Sequence, residues 1–161
     1  MQMKTNKIIM FNDDYGQTEA VLELRKTMKL SIIPLTDTDK TYLETAFDWD
    51  LREQVIIDRY AEYKVGEVVA VAQSYKSVFE ESLSYAIPRW HWLDDHIDEK
   101  GFENKMFVKA EEMPHQIQIT AIKVERLQDI SDENCLREGL RGKGTWKSNP
   151  YVFVYSFKLI K

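Results

Sequence analysis

The chain holds one cysteine, Cys135, in 161 residues. That excludes an internal disulfide framework and fits a reducing compartment, with Cys135 read as a small buried helix residue rather than a reactive thiol. No apolar run approaches the length of a membrane span, and the run within the N-terminal MQMKTNKIIMF is too short for a signal peptide. A cytoplasmic protein with no membrane partner is expected. Internal repeats and heptads are lacking, as are GxSxG, HExxH, CxxC and the dinucleotide fingerprint. The basic, glycine-punctuated loop RGKGTWKSNP is not a phosphate-binding loop, because GxxxxGK is absent. His91 and His96, with Asp94 and Asp95 between them, are five apart and do not share a helix face, so no metal and no cofactor are expected. Positive charge is also short: the formal net charge is -5 and the pI near 5.3. Bulk electrostatic coating of nucleic acid is therefore disfavoured, although a local basic patch is still compatible with it.

What is present is ordinary globular material, 43% hydrophobic and 30% charged, enough for one domain over 1–161. The organising stretch runs from Ile117 to Leu140. Ile117, Ile119 and Ala121 alternate with polar residues before Ile122 and Val124 shift the apolar phase, which predicts a strand with a bulge or with both faces buried. A short helix is expected next, opened by Ser131 and ended by Gly139. Glu138 then falls in its last turn, where a carboxylate opposes the helix dipole unless a cation faces it.

Along the rest of the chain, Ile8 to Phe11 predicts a short strand, and a helix capped by Thr18 follows with Val21, Leu24 and Met28 on one stripe. That helix would gather Arg25, Lys26 and Lys29 at its C-terminal end. A second helix is expected from about Lys40, with Leu43, Ala46, Phe47 and Leu51 on one face and Thr41 and Glu44 as a capping box. Gln54 to Lys64 is ambiguous. Val65 to Gln73 predicts a buried strand entered at Gly66, with Tyr75 and Lys76 at its mouth. A long insertion at about 80–105 carries Tyr85, Trp90, Trp92 and Phe102; it can act as a lid whose aromatics stack on bases, or be pinned to the core by Trp90 and Trp92. Met106 to Val108 predicts a short strand, and Tyr151 to Ile160 a long one with Tyr151, Phe153, Tyr155 and Phe157 on one face. The sum is an α+β fold, a small twisted barrel with two or three flanking helices and a long loop insertion.

Three segments carry a family resemblance: LELRKTMK (22–29), YKVGEVVAVAQSY (63–75), and MPHQIQITAIKVERLQDISDENCLREGL with the later NPYVFVYSFKLI. Together they resemble the ASCH domain family, and in particular its longer members common in phages and prophages. The resemblance implies a PUA-like β-barrel whose cleft against the helices holds single-stranded RNA or a nucleoside- or nucleotide-like small molecule. It also points to a branch of amidohydrolases acting on N4-acetylcytidine through a lysine, a threonine three residues on, and a glutamate. The lysine matches Lys26 and the glutamate Glu138, while Lys29 stands at the threonine position. As a binding module, the implied cleft draws on Lys26, Lys29, Tyr75, Trp90, Arg137 and Glu138. As an enzyme, it draws on Lys26, Lys29 and Glu138. A third class is a phage-derived accessory protein that binds an unidentified protein partner.

Overall fold

The computed structural model describes residues 7–13, 16–24, 26–45, 47–85, 87–131 and 144–161. Five strands form one mixed sheet: β1 (Ile8–Ile9), β2 (Met28–Ile32), β3 (Val68–Val71), β4 (Gln116–Arg126) and β5 (Tyr151–Leu159), in spatial order β1-β3-β4-β5-β2. β1 pairs parallel with β3, and every other ladder is antiparallel. With β1 and β2 as edges, the sheet is not closed among the described residues. The α+β class holds, and the helices outnumber the two or three expected: α1 (Gln17–Leu22), α2 (Asp37–Glu44), α3 (Trp49–Tyr60), α4 (Tyr75–Ser82), α5 (Trp90–His96) and α6 (Thr145–Ser148). None of the described helices is long and apolar enough to cross a membrane.

β4 and β5 sit at the centre, and their register explains the phase shift in the sequence. Ile119 pairs with Phe157, the ladder slips, and pairing resumes at Ala121 with Ser156, leaving Thr120 as the extra residue of a bulge. One added residue turns the apolar set from odd to even positions, so Ile117 and Ile119 before it and Ile122 and Val124 after it all reach the same core. On β5, Tyr151, Phe153, Tyr155 and Phe157 enter that core, while Val152 and Val154 pack on the other face with Leu30, Leu127 and Ile130. β3 is likewise covered on both faces. Val69 and Val71 meet the main core, and Ala70 and Ala72 meet Tyr75, Val78 and Trp92.

The helices depart from the predicted boundaries for local reasons. α1 stops at Leu22 because the chain wraps back on it: the Leu24 amide donates to the Val21 carbonyl at 3.1 Å, the Lys26 amide to that of Ala20 at 3.0 Å, and Leu24 adopts φ 62. Leu24 is exposed and Met28 opens β2, so the apparent stripe is two elements. Thr18 does not cap α1; its hydroxyl donates to Asp13 Oδ1 at 2.7 Å. The single helix expected from Lys40 is two. Thr36 caps α2 in a reciprocal box with Asp39, Asp48 caps α3 by accepting from the Leu51 amide, and Phe47 and Leu51 are exposed. α3 runs through Tyr60 and resolves the ambiguous Gln54–Lys64 stretch. The insertion is not a plain loop. It holds α5 and short 3-10 turns, and Lys105–Phe107 is one of these turns rather than part of a strand.

Candidate functional site

The residues singled out from sequence do not converge on one described site. Lys26 follows the wrap that ends α1 and is buried, whereas Lys29 lies on β2. The helical spacing that would set them on one face therefore does not exist. Lys29 Nζ donates to the Met10 carbonyl and stands 5.3 Å from the Phe11 ring centroid. Tyr75 begins α4 and is enclosed: its hydroxyl accepts from the Lys109 amide at 3.0 Å, and its ring stacks on His96 at 4.1 Å and meets Trp92 edge-on at 5.4 Å. Trp92, buried with Nε1 donating to the Tyr75 carbonyl at 3.0 Å, pins the insertion. Trp90 is largely exposed, with its ring 5.3 Å from that of Phe79. Cys135, Arg137, Glu138, Arg141 and Lys143 lie outside the described residues, as does Arg25. His96 Nδ1 is 2.9 Å from Glu99 Oε2, and no group of three or more candidate metal ligands forms among the described residues.

What the fold does build is a cavity of about 620 Å³ between α1 and the junction of β3 with α4. That size suits a small organic ligand. The apolar run of β3 continues one residue past the strand to Ala72, and Gln73 and Ser74 turn the chain into α4, where Ser74 Oγ accepts from the Ser77 amide at 3.1 Å. This tight strand-to-helix turn leaves the Gln73 side chain on the cavity wall. Gln73 is 8% exposed, and its Oε1 has no hydrogen-bond partner among the described residues. Its Nε2 faces Glu81 Oε2 at 3.4 Å, which fixes the amide the right way round, because a flip would set two oxygens against each other. Leaving a buried acceptor unsatisfied costs about 1–3 kcal/mol.

Glu81, one α4 face along, binds this amide to a third residue. His115 Nε2 donates to Glu81 Oε1 at 2.7 Å, and His115 Nδ1 lies 3.2 Å from the Lys161 backbone oxygen. On the opposite wall, Lys105 Nζ donates to the Phe11 carbonyl, to Asp13 Oδ2 at 2.9 Å and to Thr18 Oγ1 at 3.4 Å, tying the insertion to α1. Exposed Glu19, Glu23 and Glu103 complete the mouth.

Gln73, Glu81 and His115 are eight and thirty-four residues apart, so no local motif unites them. The one local cue is the polar Gln73-Ser74 step that ends the valine and alanine run of β3. Comparison of the chain with known protein families, with characterised proteins and with solved structures finds no match.

Proposed function

We propose that the chain is an ASCH-type binding module, its twisted mixed sheet belonging to a PUA-like barrel, and that the cavity between α1 and α4 receives the base of a nucleoside-like ligand. Single-stranded RNA enters this reading through one unpaired base rather than through its backbone. The observation that carries it is the partly exposed Glu81 carboxylate on the cavity wall, held by the Gln73 amide at 3.4 Å and by His115 at 2.7 Å. A carboxylate oriented in this way suits an exocyclic amino group. Isothermal titration of cytidine, uridine and a short unpaired oligonucleotide tests this. Cytidine, which presents an amino group where uridine presents an oxygen, is expected to bind about tenfold more tightly or better, and Glu81→Leu to erase the preference. Absence of binding by all three would overturn the reading.

A second reading, amide hydrolysis of an acylated nucleoside, draws on the Glu81–His115 pair at 2.7 Å. A carboxylate held by an imidazole at a cavity wall can orient a water and take its proton. A chromatographic assay with N4-acetylcytidine, run beside Glu81→Gln and Lys26→Ala, tests it. Turnover lost in Glu81→Gln alone assigns the base to this pair; no turnover by the unaltered protein removes the reading for that substrate.

A further inference from the structure

We propose that α3 is the contact surface of a twofold homodimer, in which Phe47 of one copy seats in a hollow between α3 and β4 of the other. Phe47, Trp49 and Leu51 are all exposed at the start of α3, and Phe47 is wholly so. Single exposed apolar residues are ordinary, whereas a group of large ones marks a contact surface. The residue before a helix cap commonly packs on the fourth helical position. Here that position is Arg52, whose guanidinium donates to the Tyr42 carbonyl at 2.6 Å and stands 4.6 Å from the Tyr42 ring centroid. Phe47 is thus left without its usual seat within its own chain.

A seat lies at the other end of the same helix. Leu51, Gln54 and Asp58 are exposed and follow at spacings of three and four, so they share the outer face of α3. Gln54 and Asp58, joined by a 2.8 Å hydrogen bond, form one rim of a cavity of about 540 Å³. Its walls are Ile57, Ala61, Tyr63, Val65 and Ile122, and Val65 is 64% exposed. The hollow forms because α3 ends on the small Ala61. Upstream, buried Ile56 and the Glu53 carboxylate, which accepts from the Val124 amide at 2.8 Å, hold the helix on the sheet. One face therefore carries an apolar projection at one end and an apolar hollow at the other. A twofold axis across the middle of α3 sets two such faces antiparallel and fills both hollows at once, as an isologous contact requires.

Charge follows the same polarity. Asp48 and Asp50 flank Phe47, and Lys64 lines the hollow with its ammonium unpartnered among the described residues. Of the carboxylates near Lys64, Glu67 is paired with Lys7 at 3.3 Å, Asp58 is held by Gln54, and Glu62 does not line the hollow. The antiparallel pairing brings the aspartates of each copy to the lysine of the other. This surface shares no lining residue with the cavity between α1 and α4.

The test is sedimentation equilibrium of the full chain over a range of concentrations. The unaltered chain is expected to approach twice its 19.0 kDa mass as concentration rises. Phe47→Asp and Val65→Asp, both at exposed positions, are expected to keep the circular dichroism of the fold and each to weaken dimerisation roughly tenfold or more. Lys64→Glu is expected to weaken it severalfold, and Asp50→Lys added to Lys64→Glu to recover most of that loss. A mass of 19.0 kDa at every concentration would overturn the proposal, and a monomer whose hollow instead binds the apolar dye anilinonaphthalene sulfonate would replace it with a small-molecule site. A dimer indifferent to both Phe47→Asp and Val65→Asp would overturn it by setting the contact elsewhere. Loss in Lys64→Glu that the charge swap does not recover would overturn the antiparallel arrangement.

Discussion

Asp39 shows at the scale of one residue how this chain buries charge. Its carboxylate is 4% exposed and accepts from the Thr36 amide at 3.1 Å, from Arg59 at 2.7 Å and from the Tyr60 hydroxyl. The Tyr60 hydrogen bond, then that of the Thr36 backbone, hold its pKa below the usual value of 3.8, against the opposing effect of burial. A depressed folded pKa means that the stabilisation is complete above the unfolded value and is lost as pH falls through the folded one. Asp39→Asn is thus expected to lower the melting temperature at neutral pH, with the gap to wild type closing under acid conditions. A gap that stays constant from neutral pH to well below the folded pKa would show that Asp39 acts through packing alone. Tyr60 gives the cluster an alkaline edge as well. Its hydrogen bond to Asp39 raises its pKa, so that contribution is present at neutral pH and is lost as pH rises through the raised value.

At the scale of the element, the insertion is seated on a contact that tolerates no added volume. Gly101 is buried, and a Cβ there would come within 2.7 Å of Tyr75 Cε2 and 3.0 Å of the Phe107 carbonyl. The Tyr75 ring cannot swing aside, because His96 and Trp92 flank it. Gly101→Ala is expected to cost about 1–3 kcal/mol, read as a lower urea midpoint with unchanged slope. An unmoved midpoint would mean that the 3-10 turn of Lys100–Phe102 shifts freely. Legibility in the sequence follows the same local logic. β5 and the phase shift in β4 are visible because a two-residue period is written directly in which residues are apolar, while the choice between a bulge and burial on both faces needs the ladder register. α1 was overextended because Leu24 fits a helical stripe by type, while its left-handed backbone depends on amides returning to Ala20 and Val21. Trp90 and Trp92 are legible only as a pair of candidate anchors, both large and apolar within a polar stretch, and the structure buries Trp92 while leaving Trp90 largely exposed. The Gln73, Glu81 and His115 constellation was not, since each is unremarkable until the β3–α4 turn and the start of β4 bring them together.

Across the whole molecule, the strands share their burial between clusters. β3 gives Val69 and Val71 to the main core and Ala70, with Ala72 just past the strand, to the insertion; β5 gives its aromatics to the main core and Val152 and Val154 to the cluster with Leu30, Leu127 and Ile130. No cluster can melt alone without stripping one face from a strand that another cluster needs. That coupling predicts one cooperative transition. The tryptophans are well placed to check it, because Trp90 and Trp92 report on the insertion through α5, Trp49 on α3 and Trp146 on α6. Urea unfolding followed by tryptophan fluorescence and by far-ultraviolet circular dichroism is expected to give superimposable curves with one midpoint. A fluorescence change that precedes the loss of circular dichroism, and that disappears in Trp92→Phe, would instead make the insertion a separately unfolding unit. Lys105 would then leave Asp13 and Thr18 while the sheet stands, and the candidate cavity would open before the protein unfolds.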